Sequence, residues 1–162
     1  MKIIFLDIDG VLNCHHTKEY IAGYVFVSDD KIQLLKKIID KTGAQVVLSS
    51  TWRWGWILKE HNLNCSNEEI WLFESLLEKL SEYNIELLDY TRELGNRSDE
   101  ISNWLNNHAE ERVESYVILD DVSDELSDHM DNLVETDPEY GLTDVDAKEA
   151  IRILNGGKTY EN

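Results

Sequence analysis

Residues 2–13 read KIIFLDIDGVLN, and this stretch decides the fold. The apolar run Ile3 to Leu6 predicts a short buried strand over Lys2 to Leu6, which Asp7 ends. In an open α/β sheet, ligands bind outside the carboxyl ends of the strands, so Asp7 and Asp9 fall where a site is expected. Side chains two residues apart on an extended chain project the same way. Two such carboxylates repel unless a cation joins them or one binds a proton, which indicates Mg²⁺ and a role in proton transfer.

The same residues also suit a polar turn after a strand, in which Gly10 supplies a positive φ. A calcium loop of the EF-hand type is excluded. Val11, Leu12 and Lys18 occupy the positions that such a loop fills with an oxygen ligand, a glycine and a glutamate.

Outward from this stretch, apolar runs alternate with amphipathic segments, which predicts an α/β fold with a mostly parallel sheet. We expect one domain over residues 1–162, with a short flap at about residues 14–27 that includes a hairpin at Tyr20 to Val27. The further predicted elements are a helix from Ser28 as cap to Gly43, a strand Gln45 to Leu48, an aromatic turn Trp52 to Trp56, a helix from about Asn67 to Glu82 with Ser66 as cap, a strand Ile85 to Asp89, a helix capped by Ser98, strands Tyr116 to Leu119 and Asn132 to Glu135, and a helix from Thr143 as cap through Leu154.

Composition limits the function. The 162 residues include 15 Lys plus Arg and 33 Asp plus Glu, a formal net charge of −18, and 42% are hydrophobic. A chain this apolar can build a core, which excludes a disordered acidic chain. A chain this acidic is a poor binder along a nucleic-acid backbone, so extended nucleic-acid binding is not expected.

Cys14 and Cys65 are the only cysteines, and two are too few for a disulfide framework. The apolar start is much shorter than a signal-peptide core or a membrane span. We therefore expect a cytoplasmic protein with no membrane contact.

Three other predicted strand or helix ends carry chemistry. Ser49, Ser50 and Thr51 follow the second sheet strand and offer hydroxyls for phosphate oxygens, whereas Asp120 and Asp121 follow the fourth and suit a hard cation. Arg97 lies just before a predicted helix. Each has an ordinary interpretation, as a cap, a solvated loop or a surface charge, and it is their joint placement that indicates a site.

These motifs resemble those of the haloacid dehalogenase (HAD) superfamily over nearly the whole chain. The four superfamily motifs match, in order, Asp7-Ile8-Asp9, Ser49, Arg97 with Arg92 as the alternative, and Asp120-Asp121. The resemblance implies a Rossmann-like three-layer sandwich with a five-stranded sheet of order 5-4-1-2-3. No large cap is expected, because only short segments surround the first and third motifs.

A smaller branch of the superfamily is more closely similar, namely the phosphatase domains of RNA repair proteins. The stretches that carry this similarity are Asp7 to Asn13, Ser49 to Arg53, Ile118 to Asp121 and Thr136 to Thr143. The similarity implies phosphorylated small molecules or phosphorylated nucleic-acid ends as substrates. The fourth motif is Asp-Asp where the superfamily more often has Gly-Asp, so Asp121 is the preferred metal ligand, with Asp120 and Asp124 as supporting candidates.

By this resemblance, Asp7 is the nucleophile of a Mg²⁺-dependent phosphatase and Asp9 its general acid and base. Mg²⁺ would be held by Asp7, Asp121 and the backbone carbonyl of Asp9. Phosphate oxygens would contact Ser49, Ser50 and Arg97, with Arg53 as a further source of positive charge. The alternative function is a catalytically silent module that binds phosphate or metal on the same fold. Trp52, Trp54 and Trp56 either pack beside the site or stack a base.

Overall fold

The computed structural model of the protein describes residues 1–61 and 68–156. Within these ranges the chain forms seven strands and five α-helices. In chain order they are β1 (Lys2–Leu6), β2 (Tyr20–Ile21), β3 (Tyr24–Val25), α1 (Asp29–Thr42), β4 (Gln45–Leu48), α2 (Arg53–Glu60), α3 (Glu68–Ser81), β5 (Leu87–Tyr90), α4 (Arg97–Asn107), β6 (Ser115–Asp120), β7 (Leu133–Glu135) and α5 (Asp144–Leu154).

Five strands form one parallel sheet in the order β5-β4-β1-β6-β7. The numerals differ from the predicted order 5-4-1-2-3 because β2 and β3 form a separate hairpin between the first and second strands of the sheet. When only the five sheet strands are numbered along the chain, the order reads 5-4-1-2-3 from the β7 edge. The strand that carries Asp7 at its end is therefore the central one.

Helices cover both faces of the sheet, which gives three layers. Ile4 and Leu6 of β1 pack into a core with residues of α1, α3 and α5, whereas Ile3 and Phe5 face α4. The Phe5 ring meets the Trp104 ring edge to face, with centroids 5.4 Å apart. Because β1 is buried on both faces, it reads as a continuous apolar run in the sequence.

The crossover helix α1 has the predicted limits. Gly43 adopts φ 70° and its N–H donates to the Ile39 carbonyl at 2.8 Å, which ends the helix. Ser28 occupies the N-cap position, but its side chain accepts no hydrogen bond from the N–H groups of the first helical turn. Its hydroxyl lies 2.9 Å from the Thr17 hydroxyl, which ties the helix start to the preceding loop.

Two local predictions are wrong. The helix α4 is capped by Asn96, whose Oδ1 accepts from the Asp99 N–H at 3.2 Å, and not by Ser98. An Asn side chain offers the same acceptor two residues earlier, and Arg97 thereby becomes the first helical residue. The aromatic segment Trp52 to Trp56 is a turn only at Trp52, because the helix α2 begins at Arg53.

Most of the remaining limits shift by one or two residues. The third sheet strand, β5, begins at Leu87 instead of Ile85, and the fourth, β6, extends to Asp120. Thr143 caps α5 in a reciprocal capping box with Asp146, as its position predicts. The predicted start of α3 at Ser66 and Asn67 lies outside the described residues.

The predicted hairpin is present and short. β2 and β3 pair antiparallel across Ala22 and Gly23, which both have positive φ, as a tight two-residue hairpin turn requires. This hairpin is the only regular structure between β1 and α1. In the described part of the chain, no helix is both long and apolar enough to cross a membrane.

Candidate active site

The parallel sheet brings three strand ends together. The N–H of Asp7 donates to the Leu119 carbonyl at 2.9 Å, and the N–H of Ser49 donates to the Leu6 carbonyl at 2.8 Å. These bonds continue the β1–β6 and β1–β4 ladders by one residue. The backbone of Asp7 is therefore fixed between Ser49 and the carboxylate pair at the end of β6.

Asp7, Asp120 and Asp121 form a cluster of carboxylates. One carboxylate oxygen from each lies within 4.8 Å of the others. Burial, and after it the neighbouring Asp120 carboxylate, raises the pKa of Asp7 to about 7. Burial also raises the pKa of Asp120 to about 6 and that of Asp121 above its usual value. The three groups are therefore close, desolvated and short of positive charge.

Several contacts offset this charge in part. The Arg97 Nε lies 3.3 Å from Asp120 Oδ2, and this guanidinium lowers the pKa of both Asp120 and Asp7. The N–H of Ile8 donates to Asp7 Oδ1 at 2.8 Å, and the Ser50 hydroxyl bonds to the same carboxylate. The raised pKa values remain despite these partners, so the donor set fits a hard divalent cation, which prefers oxygen ligands.

Gly10 makes room for the cluster. Its φ is 81°, and a Cβ built on it would overlap the carboxylate of Asp121. Only glycine allows the backbone to approach that carboxylate in this conformation. The Gly10 carbonyl accepts from the Thr136 hydroxyl at 2.7 Å, which anchors the loop to the end of β7.

Asp9 stands apart from the three clustered carboxylates. Its side chain is exposed, and each of its oxygens is held by a different donor. Asn13 Nδ2 donates to Oδ1 at 2.9 Å and Trp52 Nε1 donates to Oδ2 at 3.1 Å. Asn13 is itself fixed by the Gly10 N–H, which donates to its Oδ1 at 2.9 Å. The contact of a metal with the Asp9 backbone carbonyl stays a prediction.

The predicted phosphate-binding residues converge on the same place. Ser49 and Ser50 are buried, and Arg97 Nη1 lies 3.4 Å from the Ser49 hydroxyl. The guanidinium that contacts both Ser49 and Asp120 is thus that of Arg97, whereas Arg92 is exposed. Asp124 is also exposed and does not belong to the carboxylate cluster.

Sequence reasoning missed a buried ion-pair network beneath the site. Arg53 is 3% exposed, and its two terminal nitrogens bind the Glu100 carboxylate at 2.8 and 3.1 Å. The same guanidinium contacts Glu93 at 2.8 Å and the Thr91 hydroxyl at 2.8 Å. The expectation that Arg53 attracts substrate is therefore wrong, because acidic partners neutralise it inside the protein. A separation of 47 residues hides the Arg53–Glu100 pair from local sequence patterns.

Two clefts open beside Asp9. A cleft of about 310 Å³ leads from Asp9 to Asp121 and is bordered by Asn13 and Tyr20. A more apolar cleft of about 430 Å³ lies on the side of Trp52 and Trp54. Asp9 therefore lies between the carboxylate cluster and an aromatic surface.

Comparison with known families agrees with this geometry. A family model, the HAD domain in Swiss Army Knife RNA repair proteins, matches residues 3–147. The chain belongs to this family. The match runs from β1 into α5, so this HAD domain includes every residue of the site described above. Membership implies a HAD-type, phosphatase-like function, and HAD domains generally use Mg²⁺. No curated protein matches the chain.

Proposed function

We propose that the protein is a Mg²⁺-dependent phosphatase that hydrolyses phosphomonoesters through an aspartyl-phosphate on Asp7. The observation that supports this best is that three of the four carboxylates at the site form a cluster and the fourth lies apart from it. Three lie within 4.8 Å of one another, with Asp7 and Asp120 buried and Asp121 half-buried. The fourth, Asp9, is exposed and held separately by Asn13 and Trp52. A module that only binds a metal has no use for an acid held apart from the ligands in this way.

The chemistry follows from these positions. A carboxylate oxygen of Asp7 attacks phosphorus, and the bond from phosphorus to the ester oxygen breaks. Asp9 gives its proton to the departing alkoxide. It then takes a proton from a water molecule as that water attacks phosphorus, and the bond from phosphorus to the Asp7 oxygen breaks. The products are an alcohol and inorganic phosphate, and both carboxylates return to their starting state.

The cation would be held by Asp7 and Asp121, with Asp120 in support and the backbone carbonyl of Asp9 as a further ligand. Asp121 is preferred over Asp120 because both oxygens of Asp120 already have partners, the Val122 N–H at 3.1 Å and Arg97 at 3.3 Å. When bound, Mg²⁺ supplies positive charge next to the phosphoryl oxygens, where charge builds up during transfer.

The remaining phosphoryl oxygens would be bound by Ser49, Ser50 and Arg97. The Ser50 hydroxyl bonds to the Asp7 carboxylate, Arg97 contacts Asp120, and the Ser49 hydroxyl lies 3.4 Å from Arg97 Nη1. An arginine suits this role, because its fork of donors matches phosphate oxygens.

The substrates we propose are nucleotides or phosphorylated nucleic-acid ends. The family description names RNA repair proteins, which supports this class. The short hairpin between β1 and α1 leaves the clefts beside Asp9 open enough for the end of a larger molecule. An open site also admits small phosphomonoesters.

A phosphomonoester panel with Mg²⁺ tests the proposal. The panel contains nucleotides, sugar phosphates and oligonucleotides phosphorylated at the 5′ or 3′ end. Wild-type protein is expected to release phosphate, whereas Asp7→Asn should release none while keeping its circular dichroism spectrum. Equal phosphate release by Asp7→Asn would remove Asp7 from the mechanism, and no release from any substrate by wild type would favour the silent binding module.

Asp9→Asn separates acid catalysis from metal binding. We expect the rate to fall by about 10²–10⁴-fold, which is the usual contribution of a general acid and base. Mg²⁺ affinity, measured by calorimetric titration, should stay near the wild-type value because the Asp9 side chain is not part of the carboxylate cluster. A collapse of affinity with little change in rate would contradict the assignment.

A further inference from the structure

The cleft on the Trp52 side of Asp9, here called the aromatic groove, has a volume of about 430 Å³. None of the three clustered carboxylates lines it. Its walls come from the β2–β3 hairpin, the start of α2 and the start of α3. Its lining residues include Asp9, Tyr24, Thr51, Trp52, Trp54 and Leu72.

The walls of the aromatic groove are held in place by contacts between the elements that form them. Gly55 lets α2 lie directly on α3, since a Cβ there would be 2.5 Å from the Phe73 Cβ. The Tyr24 hydroxyl donates to Glu68 Oε2 at 2.8 Å and ties the hairpin to the start of α3. Two aromatic side chains nevertheless remain open to solvent, Trp54 at 39% and Tyr24 at 47%. The groove is therefore formed before any ligand arrives.

The position of Asp9 assigns a role to this groove. A general acid must touch the leaving oxygen, so the leaving group lies next to Asp9. The phosphoryl group lies on the other side, at Asp7 and Arg97. We propose that the aromatic groove binds the leaving group and that its occupant is a nucleobase. This inference rests on the proposed phosphatase function.

The chemistry of the groove fits a nucleobase. Aromatic side chains stack on the planar faces of bases with little regard to sequence. An uncharged base also avoids repulsion by a chain of net charge −18. A volume of about 430 Å³ exceeds the needs of a single phenyl ring and suits a base with its sugar. The exposed Thr51 hydroxyl offers a hydrogen bond at the edge.

Trp52 links occupancy of the groove to catalysis. Its indole N–H holds Asp9 Oδ2 at 3.1 Å while its side chain lines the groove. A base stacked on Trp52 therefore fixes the side chain that orients the acid. Binding energy from the base is then used in the transition state, so loss of the base should lower kcat as well as raise KM.

Matched substrates test the proposal by kinetics. Each pair is a short oligonucleotide phosphorylated at one end, with either a base or an abasic unit at the phosphorylated position. Pairs are made for both the 5′ and the 3′ end, and a mononucleotide compared with its sugar phosphate distinguishes free nucleotides from strand ends. We expect kcat/KM to be about tenfold higher with the base, the size of one stacking contact.

Trp54→Ala should reduce that preference to near unity. The matched control is Trp71→Ala, because Trp71 is 46% exposed on α3 and does not line the groove. This control should keep the wild-type ratio. Three outcomes would each overturn the inference while leaving the phosphatase function intact. Wild type could hydrolyse base and abasic substrates equally, or Trp54→Ala could keep the wild-type ratio of kcat/KM between them. The third outcome is a higher kcat/KM for phosphotyrosine than for the nucleotide.

A second readout does not depend on activity. The chain has five tryptophans, and their indole N–H groups can be followed individually by nuclear magnetic resonance. Adenosine, which has no phosphate, should shift the signals of Trp52 and Trp54 and leave those of Trp71 and Trp104 in place. These shifts would support the groove even if no substrate were hydrolysed, in which case the proposed function alone would have failed. Their absence would overturn the groove as a base site.

Discussion

At the scale of single residues, Asp7 opposes folding of the metal-free protein. Its pKa is about 7 in the folded chain, mainly because of burial, against 3.8 for an ordinary aspartate. The folded state thus keeps a proton that the unfolded state has released. Stability should therefore fall as the pH rises from about 4 to about 7 and then level off.

Asp7→Asn removes this penalty. Above the pKa of Asp7, the metal-free variant should be more stable than wild type by up to about 4 kcal/mol, because the pKa rises from 3.8 to about 7 and each pKa unit corresponds to about 1.4 kcal/mol. Urea unfolding at acidic and alkaline pH measures this difference, and added Mg²⁺ should raise the unfolding midpoint of wild type more than that of the variant. A variant that is less stable than wild type at alkaline pH would show that the Asp7 carboxylate stabilises the fold.

At the scale of elements, the Arg53–Glu100 pair connects α2 to α4. Glu100 is also 3.8 Å from the Arg97 guanidinium, so it lies between the two arginines. Removal of one partner from a buried ion pair leaves a charge without compensation. Glu100 therefore supports both the packing of the helices and the position of Arg97.

Glu100→Ala should destabilise the protein by about 3 kcal/mol. It should also raise KM for phosphorylated substrates, because Arg97 loses a neighbour that restrains it. The control is Glu110→Gln, an exposed position just after α4. Chemical unfolding of both variants measures the difference in stability. Similar unfolding midpoints for the two variants would mean that the Arg53–Glu100 pair contributes little to stability.

The elements predicted correctly are those whose sequence pattern is set by residues within the element itself. Ile3 to Leu6 and Val46 to Leu48 are apolar because both faces of their strands are buried, and Gly43 ends α1 through its own backbone. The helix α2 was missed because its support is distant. Arg53 binds Glu100, and Gly55 packs on Phe73 of α3.

The same distinction holds in the candidate site. Asp7, Ser49, Arg97 and the Asp120-Asp121 pair stand at the ends of predicted elements, so parallel topology alone was enough to bring them together. The two donors that hold Asp9 differ in this respect. Asn13 lies four residues away, whereas Trp52 lies 43 residues away and reaches Asp9 only through the fold.

At the scale of the whole molecule, negative charge limits how far a polyanion can extend over the surface. The net charge is −18, and two arginines near the site already face acidic partners, Arg53 with Glu100 and Arg97 with Asp120. We therefore expect attraction only at the terminal phosphate, where the cation and Arg97 would bind it. Farther along a strand, repulsion is expected.

We accordingly expect no gain in kcat/KM when a phosphorylated oligonucleotide is lengthened from a few to about twenty nucleotides, and only a weak response to moderate salt. Steady-state rates on a series of lengths, each measured at low and moderate ionic strength, provide the measurement. A steep increase with length that salt abolishes would reveal a basic track on this surface.

The central position of β1 in the sheet restricts the motion of the residues at its end. The amide of Asp7 is bonded to Leu119 and that of Ser49 to Leu6, so neither can be released without separating β1 from a neighbouring strand. Amide hydrogens of this kind exchange with solvent only when the sheet opens cooperatively, whereas those of the two-residue strands β2 and β3 exchange through local opening. The hairpin at the rim of the site can thus open locally while Asp7 stays in register.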